Sequence, residues 1–286
     1  MVSLAVHGGA GVCRAPETRQ NGLIKAVNAA RKVLESGGDA VDAVVAAVIC
    51  LENDEHFNAG YGSVLNAAGE VECDAGIKEG KYLQVGAVAG VRALRNPIQG
   101  ALALLKDPTI LLAGRDAERF ALTCGIPLIK PATLISPARA AEFEGRVAVA
   151  PEEDTVGAVA LDAAGNLAAA TSTGGITRKP VGRIGDSPLP GCGYDAENGV
   201  GACSTTGWGE SIARLTLARR ALEFLERGDS PDAAAQKAIA LLGSRIEGGH
   251  GGLILLSPSG ELGVAWNTPA MSYATWSPGG GTVVHP

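Results

Sequence analysis

The chain predicts an α+β fold in which sheets are sandwiched between layers of helices. Three observations carry this expectation: helical periodicity alternates with strand-length apolar runs, the second half holds two hairpin patterns, and 40 glycines stand against 4% aromatic residues. The glycines punctuate apolar segments instead of forming tracts, as expected where backbones approach one another or a ligand closely. With 286 residues, 46% hydrophobic and 19% charged, the chain can bury a sizeable core.

Residues 2–6 form an apolar run that ends at His7 and Gly8, read as a buried strand delivering "HGGAG" to a loop. Leu23, Ile24, Val27, Ala30, Val33 and Leu34 recur at helical spacing until Gly37 and Gly38 stop the pattern. Asp39 then caps a second helix from Ala40 to Leu51, which makes a helical hairpin. "QVGAVAGVR" at 84–92 has strand length, and Asn96 with Pro97 opens a helix over Ile98–Leu105. From Pro131 to Asp154 the periodicity weakens and charge accumulates, the pattern of a surface linker. Hairpins follow at Thr155–Leu161 with Asn166–Ser172, and at Gly252–Ser257 with Glu261–Trp266. Between them lie two helices, Ile212–Leu225 and one that Ser230 and Pro231 start and that runs to Leu242.

Composition narrows the function classes. A net charge of −6 with no basic run argues against a nucleic-acid surface. Residues 1–10 lack the features of a secretory signal and no segment is apolar for 18 residues, so a cytoplasmic location without membrane contact is expected. Six cysteines (13, 50, 73, 124, 192 and 203) without a CxxC pair suggest buried free thiols, and four histidines without HExxH spacing argue against a catalytic metal. Gly191, Gly193 and Ala196 match GxGxxA, but prolines 188 and 190 occupy the place of the required strand. "HGGAG" is shared with the oxyanion loop of serine esterases, yet no intact GxSxG exists. Cys192 and Cys203 as nucleophiles compete with an ordinary core role.

Thr155 opens the first of the hairpin strands in "PEEDTVGAVALDAAGNLAAATSTGG", residues 151–175. A β-branched residue is favoured at such a position for structural reasons alone. Threonine is a weak nucleophile unless a base sits beside it, and a threonine at a chain terminus has its own α-amine for that purpose. That amine has a reference pKa of about 7.7–8.0, so a useful fraction is neutral near pH 7. The nucleophilic reading therefore requires scission between Asp154 and Thr155.

"HGGAG", "HFNAGYGSVLN" at 56–66, "TSTGG" at 171–175, "GRIGDSP" at 182–188 and "STTGWGE" at 204–210 resemble, in order and spacing, the plant-type L-asparaginases or isoaspartyl aminopeptidases. These are threonine N-terminal-nucleophile hydrolases, and the resemblance covers nearly the whole chain. It implies one four-layer αββα domain made as a precursor, cut into an α chain (1–154, with its linker at 131–154) and a β chain (155–286). It implies Thr155 as nucleophile and base, Thr173 as its hydrogen-bonding neighbour, Thr206 and Gly207 at the oxyanion, and Asn58 at the active site. Arg183 and Asp186 match the pair that grips the substrate's α-carboxylate and α-amine, a match that suits guanidinium and carboxylate chemistry; an ion pair at the surface is the competing view. Gly209 matches a pocket position. Main-chain oxygens of Leu51, Glu52, Asp54, Phe57, Ala59 and Tyr61 match a structural sodium loop, with no cofactor in the chemistry. The implied assembly is an (αβ)₂ dimer, a heterotetramer after processing.

The implied activity is hydrolysis of L-asparagine or β-aspartyl dipeptides to L-aspartate through a β-aspartyl ester on Thr155. A glycosylasparaginase-like amidase and an unprocessed binding module are the alternatives. Trp208 and Arg178 depart from the residues expected at their positions and are expected to narrow or recharge the pocket entrance.

Overall fold

A computed structural model describes residues 2–12, 16–147 and 154–285. Its strands are β1 (Ser3–Gly11), β2 (Cys73–Glu79), β3 (Val85–Val91), β4 (Leu111–Ala113), β5 (Val156–Leu161), β6 (Leu167–Thr173), β7 (Tyr194–Glu197), β8 (Gly201–Gly207), β9 (Gly251–Leu256), β10 (Leu262–Trp266), β11 (Ala270–Ser277) and β12 (Gly281–His285). Its helices are α1 (Pro16–Glu35), α2 (Ala40–Glu52), α3 (Pro97–Leu104), α4 (Gly114–Thr123), α5 (Pro137–Phe143), α6 (Gly209–Leu215), α7 (Leu217–Glu226) and α8 (Pro231–Arg245).

The strands form two sheets. The larger has the order β12-β11-β1-β5-β6-β2-β3-β4 and the smaller β10-β9-β8-β7. Pairing is antiparallel except between β3 and β4. Period-two alternation divides the apolar side chains between faces: Cys203, Leu253 and Leu255 pack with α7 and α8, whereas Ala202, Ile254 and Leu256 join Val159, Leu161 and Leu167 between the sheets. On the far face of the larger sheet, Val156, Ala158 and Ala160 meet Leu23, Val27, Val44 and Val48 of α1 and α2. The result is the expected four-layer αββα sandwich. Small side chains allow the close approach of its sheets: a Cβ on Gly76 would lie 2.2 Å from the Tyr194 ring.

Several boundaries differ from the sequence expectation. "HGGAG" is the end of β1 rather than a loop, with the register shifting between His7 and Gly9. The described part of the 131–154 stretch is folded, with a 3₁₀ turn at Pro131–Leu134 and α5 capped by Ser136, and Arg139 of α5 is buried where its Nε donates to the Gly62 carbonyl at 2.8 Å; residues 148–153 of that stretch lie outside the described residues. The helix expected over 212–225 is two helices, α6 and α7, because Thr216 between them is left-handed at φ +52°. Cys124 is exposed, against the expectation of buried thiols, while Cys73, Cys192 and Cys203 are buried and Cys13 lies outside the described residues. No described helix is long and apolar enough to cross a membrane.

Candidate active site

The register of the two central strands assembles the site. Val156 pairs with Ser172, which sets Thr155 at the mouth of β5 beside Thr173 at the end of β6. From the facing sheet, the end of β8 brings Thr206 and Gly207 to the same point, and the Thr155 N–H donates to Thr206 Oγ1 at 3.0 Å. Thr155 is 4% exposed and Thr173 2%.

The peptide carbonyl before Thr155 is held from two sides. Asn58 Nδ2 donates to the Asp154 oxygen at 2.8 Å, and Thr173 Oγ1 donates to it at 3.2 Å. Asn58 is itself fixed: its amide nitrogen also donates to the Gly175 carbonyl at 2.6 Å, and its Oδ1 accepts the Val64 N–H at 3.0 Å. Thr173 Oγ1 accepts the Gly175 N–H at 2.9 Å, so its proton is left for the Asp154 carbonyl. In the continuous chain the partner of the Thr173 hydroxyl is thus the carbonyl ahead of Thr155 rather than the Thr155 hydroxyl. The hydroxyl partner of Thr155 Oγ1 is Ser187 Oγ at 3.4 Å.

A small cleft opens beside Thr155, lined by Thr173, Gly175, Arg183, Asp186, Ser187 and Gly209 among others. Burial pushes the Asp186 carboxyl up to about 7, opposed by its own backbone N–H, the Arg183 charge and Thr205. Arg183 and Asp186 do not form the surface ion pair weighed above. Arg183 instead holds Glu210 through Nε and Nη2 at 2.8 and 2.7 Å, and Asp186 is buried. A bare Cα at 209 is required, because a Cβ there would lie 2.7 Å from Asp186 Oδ1 and 3.0 Å from Arg183 Nη2.

Behind Thr155, His7 Nε2 meets Ser204 Oγ at 2.7 Å in full burial, and desolvation lowers the imidazole pKa to about 3, so the ring is neutral. Asp74, opposite Thr173 in register, is buried and its carboxyl raised by desolvation against the charge of Lys179. Lys179 Nζ in turn donates to the Glu72 carbonyl at 2.8 Å.

The segment compared above with a sodium loop runs from the end of α2 to Tyr61, and a hard cation takes oxygen ligands. The carbonyls of Asp54, Phe57 and Ala59 accept N–H groups of Phe57, Ala59 and Gly62 at 3.2, 3.0 and 3.1 Å, leaving each oxygen a second lone pair. Gly60, at φ +53°, packs onto the Glu52 carbonyl where a Cβ would come within 2.5 Å.

Arg178 and Trp208, weighed above at the pocket entrance, have partners outside the cleft. Arg178 Nη2 donates to the Phe143 carbonyl at 2.7 Å and stacks its guanidinium over that ring. Trp208 stacks on His250 with ring centroids 6.1 Å apart and packs toward the α7–α8 core. Neither lines the cleft. Arg19, Ser187 and Glu210 were missed by sequence reasoning. Glu210 closes the "STTGWGE" motif and was there to be found, whereas Arg19 occupies an ordinary polar position of α1 and carries no sequence signal.

The family model described as asparaginase matches residues 1–284. The isoaspartyl peptidase/L-asparaginase of Rattus norvegicus is 46% identical over 283 residues, covering 95% of this chain and 85% of that protein. The Homo sapiens protein of the same name is 43% identical over 283 residues, with 95% and 92% covered. A plant-type L-asparaginase of Pyrobaculum calidifontis is 42% identical over 294 residues, covering 98% of each.

Proposed function

The chain belongs to the asparaginase family, and from that premise we propose that it is a self-cleaving threonine amidohydrolase releasing L-aspartate from L-asparagine and β-aspartyl dipeptides. The observation that carries this reading is the Asp154 carbonyl, gripped by Asn58 and Thr173 directly ahead of a buried threonine hydroxyl. The names of the relatives support the substrate class.

In maturation Thr155 Oγ1 attacks the Asp154 carbonyl carbon, and the developing oxyanion lies on the Asn58 and Thr173 donors. The C–N bond breaks as the hydroxyl proton passes to nitrogen, leaving an ester; water then cleaves the ester to give an Asp154 carboxylate and a free Thr155 amine. In turnover that amine, in its neutral form, takes the proton of its own hydroxyl. Arg183 Nη1 and Nη2 hold the substrate α-carboxylate and ionised Asp186 the α-ammonium, which presents the β-carbonyl to Oγ1. Thr206 Oγ1–H and the Gly207 N–H receive the oxyanion. Ammonia or an amino acid leaves, and water releases aspartate from the β-aspartyl ester. Base and nucleophile both come from Thr155, so the reading needs no cofactor in the chemistry.

The same proposal includes sodium held by the oxygens of Leu51, Glu52, Asp54, Phe57, Ala59 and Tyr61, where it would tie the end of α2 to the segment that positions Asn58. It also includes a cytoplasmic (αβ)₂ dimer, to be checked by light scattering of the processed protein. The decisive experiment is intact-mass analysis during incubation, paired with aspartate release. Fragments meeting at Asp154 and Thr155, and their loss together with activity in Thr155→Ala, are the expected result; an active variant overturns the mechanism.

A further inference from the structure

The residue ahead of Thr155 is held at both ends, and its side chain has no part in the reaction described above. Asp154 Oδ2 receives Arg19 Nη2 at 2.7 Å, and both side chains are only 4% exposed. The carboxylate lies in a notch of β1. A Cβ on Gly9 would sit 2.3 Å from Asp154 Cγ, and one on Gly11 would sit 3.2 Å from Oδ1. Gly9, at φ +125°, lies where β1 slips register against β11, a conformation in which a side chain is strained irrespective of space. The glycines of "HGGAG" thus make room for a carboxylate-bearing residue, and α1 supplies its countercharge. At its other end the same residue offers its carbonyl to Asn58 and Thr173.

We propose that Arg19 and the Gly9–Gly11 notch are a positioning device for maturation. By drawing in the Asp154 carboxylate they fix the rotation of the scissile peptide, so that its oxygen stays on both donors while Oγ1 attacks. The inference rests on the self-cleavage reading and adds a division of labour. Fixing a reacting group in place lowers the barrier only for the step in which that group reacts. Asp154 reacts once, when its C–N bond to Thr155 is replaced by the C–Oγ1 bond; a substrate that arrives later is held by Arg183 and Asp186 instead. An ion pair that merely braced the fold would not separate maturation from turnover.

The test follows cleavage of the purified full-length precursor by intact mass, with thermal melts as a check of folding, in wild type, Arg19→Met, Arg19→Lys and Asp154→Asn. Arg19→Met and Asp154→Asn are expected to mature at least about tenfold more slowly, and Arg19→Lys to recover part of the rate because it keeps the charge but not the fork. Asparagine hydrolysis per mole of processed chain is expected to stay within about twofold of wild type in the Arg19 variants. If Arg19→Met does not fold, Asp154→Asn, which removes the charge and keeps the shape that fills the notch, carries the comparison. Maturation of the folded variants at the wild-type rate overturns the inference alone, as does a loss of turnover per processed chain that parallels the loss of cleavage. A wild-type chain that stays whole overturns the self-cleavage reading and this inference with it.

Discussion

Replacing Asn58 by Asp keeps the outline of the side chain and turns its donor into an acceptor. The Oδ1 contact with the Val64 N–H is retained, but oxygen then faces oxygen at both the Asp154 and Gly175 carbonyls, where nitrogen now stands 2.8 and 2.6 Å away. Asn58 is the nearer of the two donors on the scissile oxygen, with Thr173 at 3.2 Å. Removing one donor from a preorganised oxyanion site costs about 2.7–4 kcal/mol, or about 100- to 1,000-fold in rate. Maturation followed by intact mass at fixed pH is therefore expected to slow by about that factor. The unpaired Gly175 carbonyl adds about 1–3 kcal/mol of lost stability, so a melt must accompany the rate to show that the variant is folded. A folded Asn58→Asp protein cleaving within about threefold of wild type would refute the assignment of Asn58 and Thr173 to the oxyanion, since the cited factor leaves no room for so small an effect.

The Asp186 carboxyl, raised from 3.8 to about 7 by burial, holds a proton in the folded state that the unfolded chain has lost. Stability therefore falls as pH rises from about 4 to about 7 and levels off above; denaturant titrations across that window should show a shallower fall in Asp186→Asn. Because only the ionised carboxylate attracts an ammonium, kcat/KM for asparagine should climb toward pH 7 in wild type, and Asp186→Asn should lose most of that activity through KM. Gly209→Ala, whose methyl would press on Asp186 and Arg183, should raise KM more than it lowers kcat, as measured by steady-state hydrolysis. Gly76→Ala drives a methyl into the Tyr194 ring between the sheets, and overpacking of this kind should cost about 1–3 kcal/mol in a denaturant titration. Replacing sodium by a bulky organic cation should lower the melting temperature, and no change would remove the ion from the account.

Local chemistry made much of this protein legible from the chain alone. Helical spacing and the Asp39 and Ser230 caps marked α1, α2 and α8, a strand-length apolar run marked β3, and hairpin patterns marked β5, β6, β9 and β10. Five short motifs, each dense in Gly, Ser, Thr or Asn, marked the site residues, because backbones that approach a reacting group closely can tolerate few other side chains. Pairings between distant segments had no such signature. That Thr173 bonds the carbonyl ahead of Thr155, that Arg183 takes Glu210 while Asp186 is buried, and that Arg19 reaches Asp154 across 135 positions each depend on where strands and helices meet in space. Trp208 and Arg178 show the same limit in reverse: one inside a motif and one just beyond another, they stack on His250 and Phe143, partners that no sequence pattern names. A residue type announces what chemistry it can do, but distance and burial, which only packing sets, decide the partner it does it with.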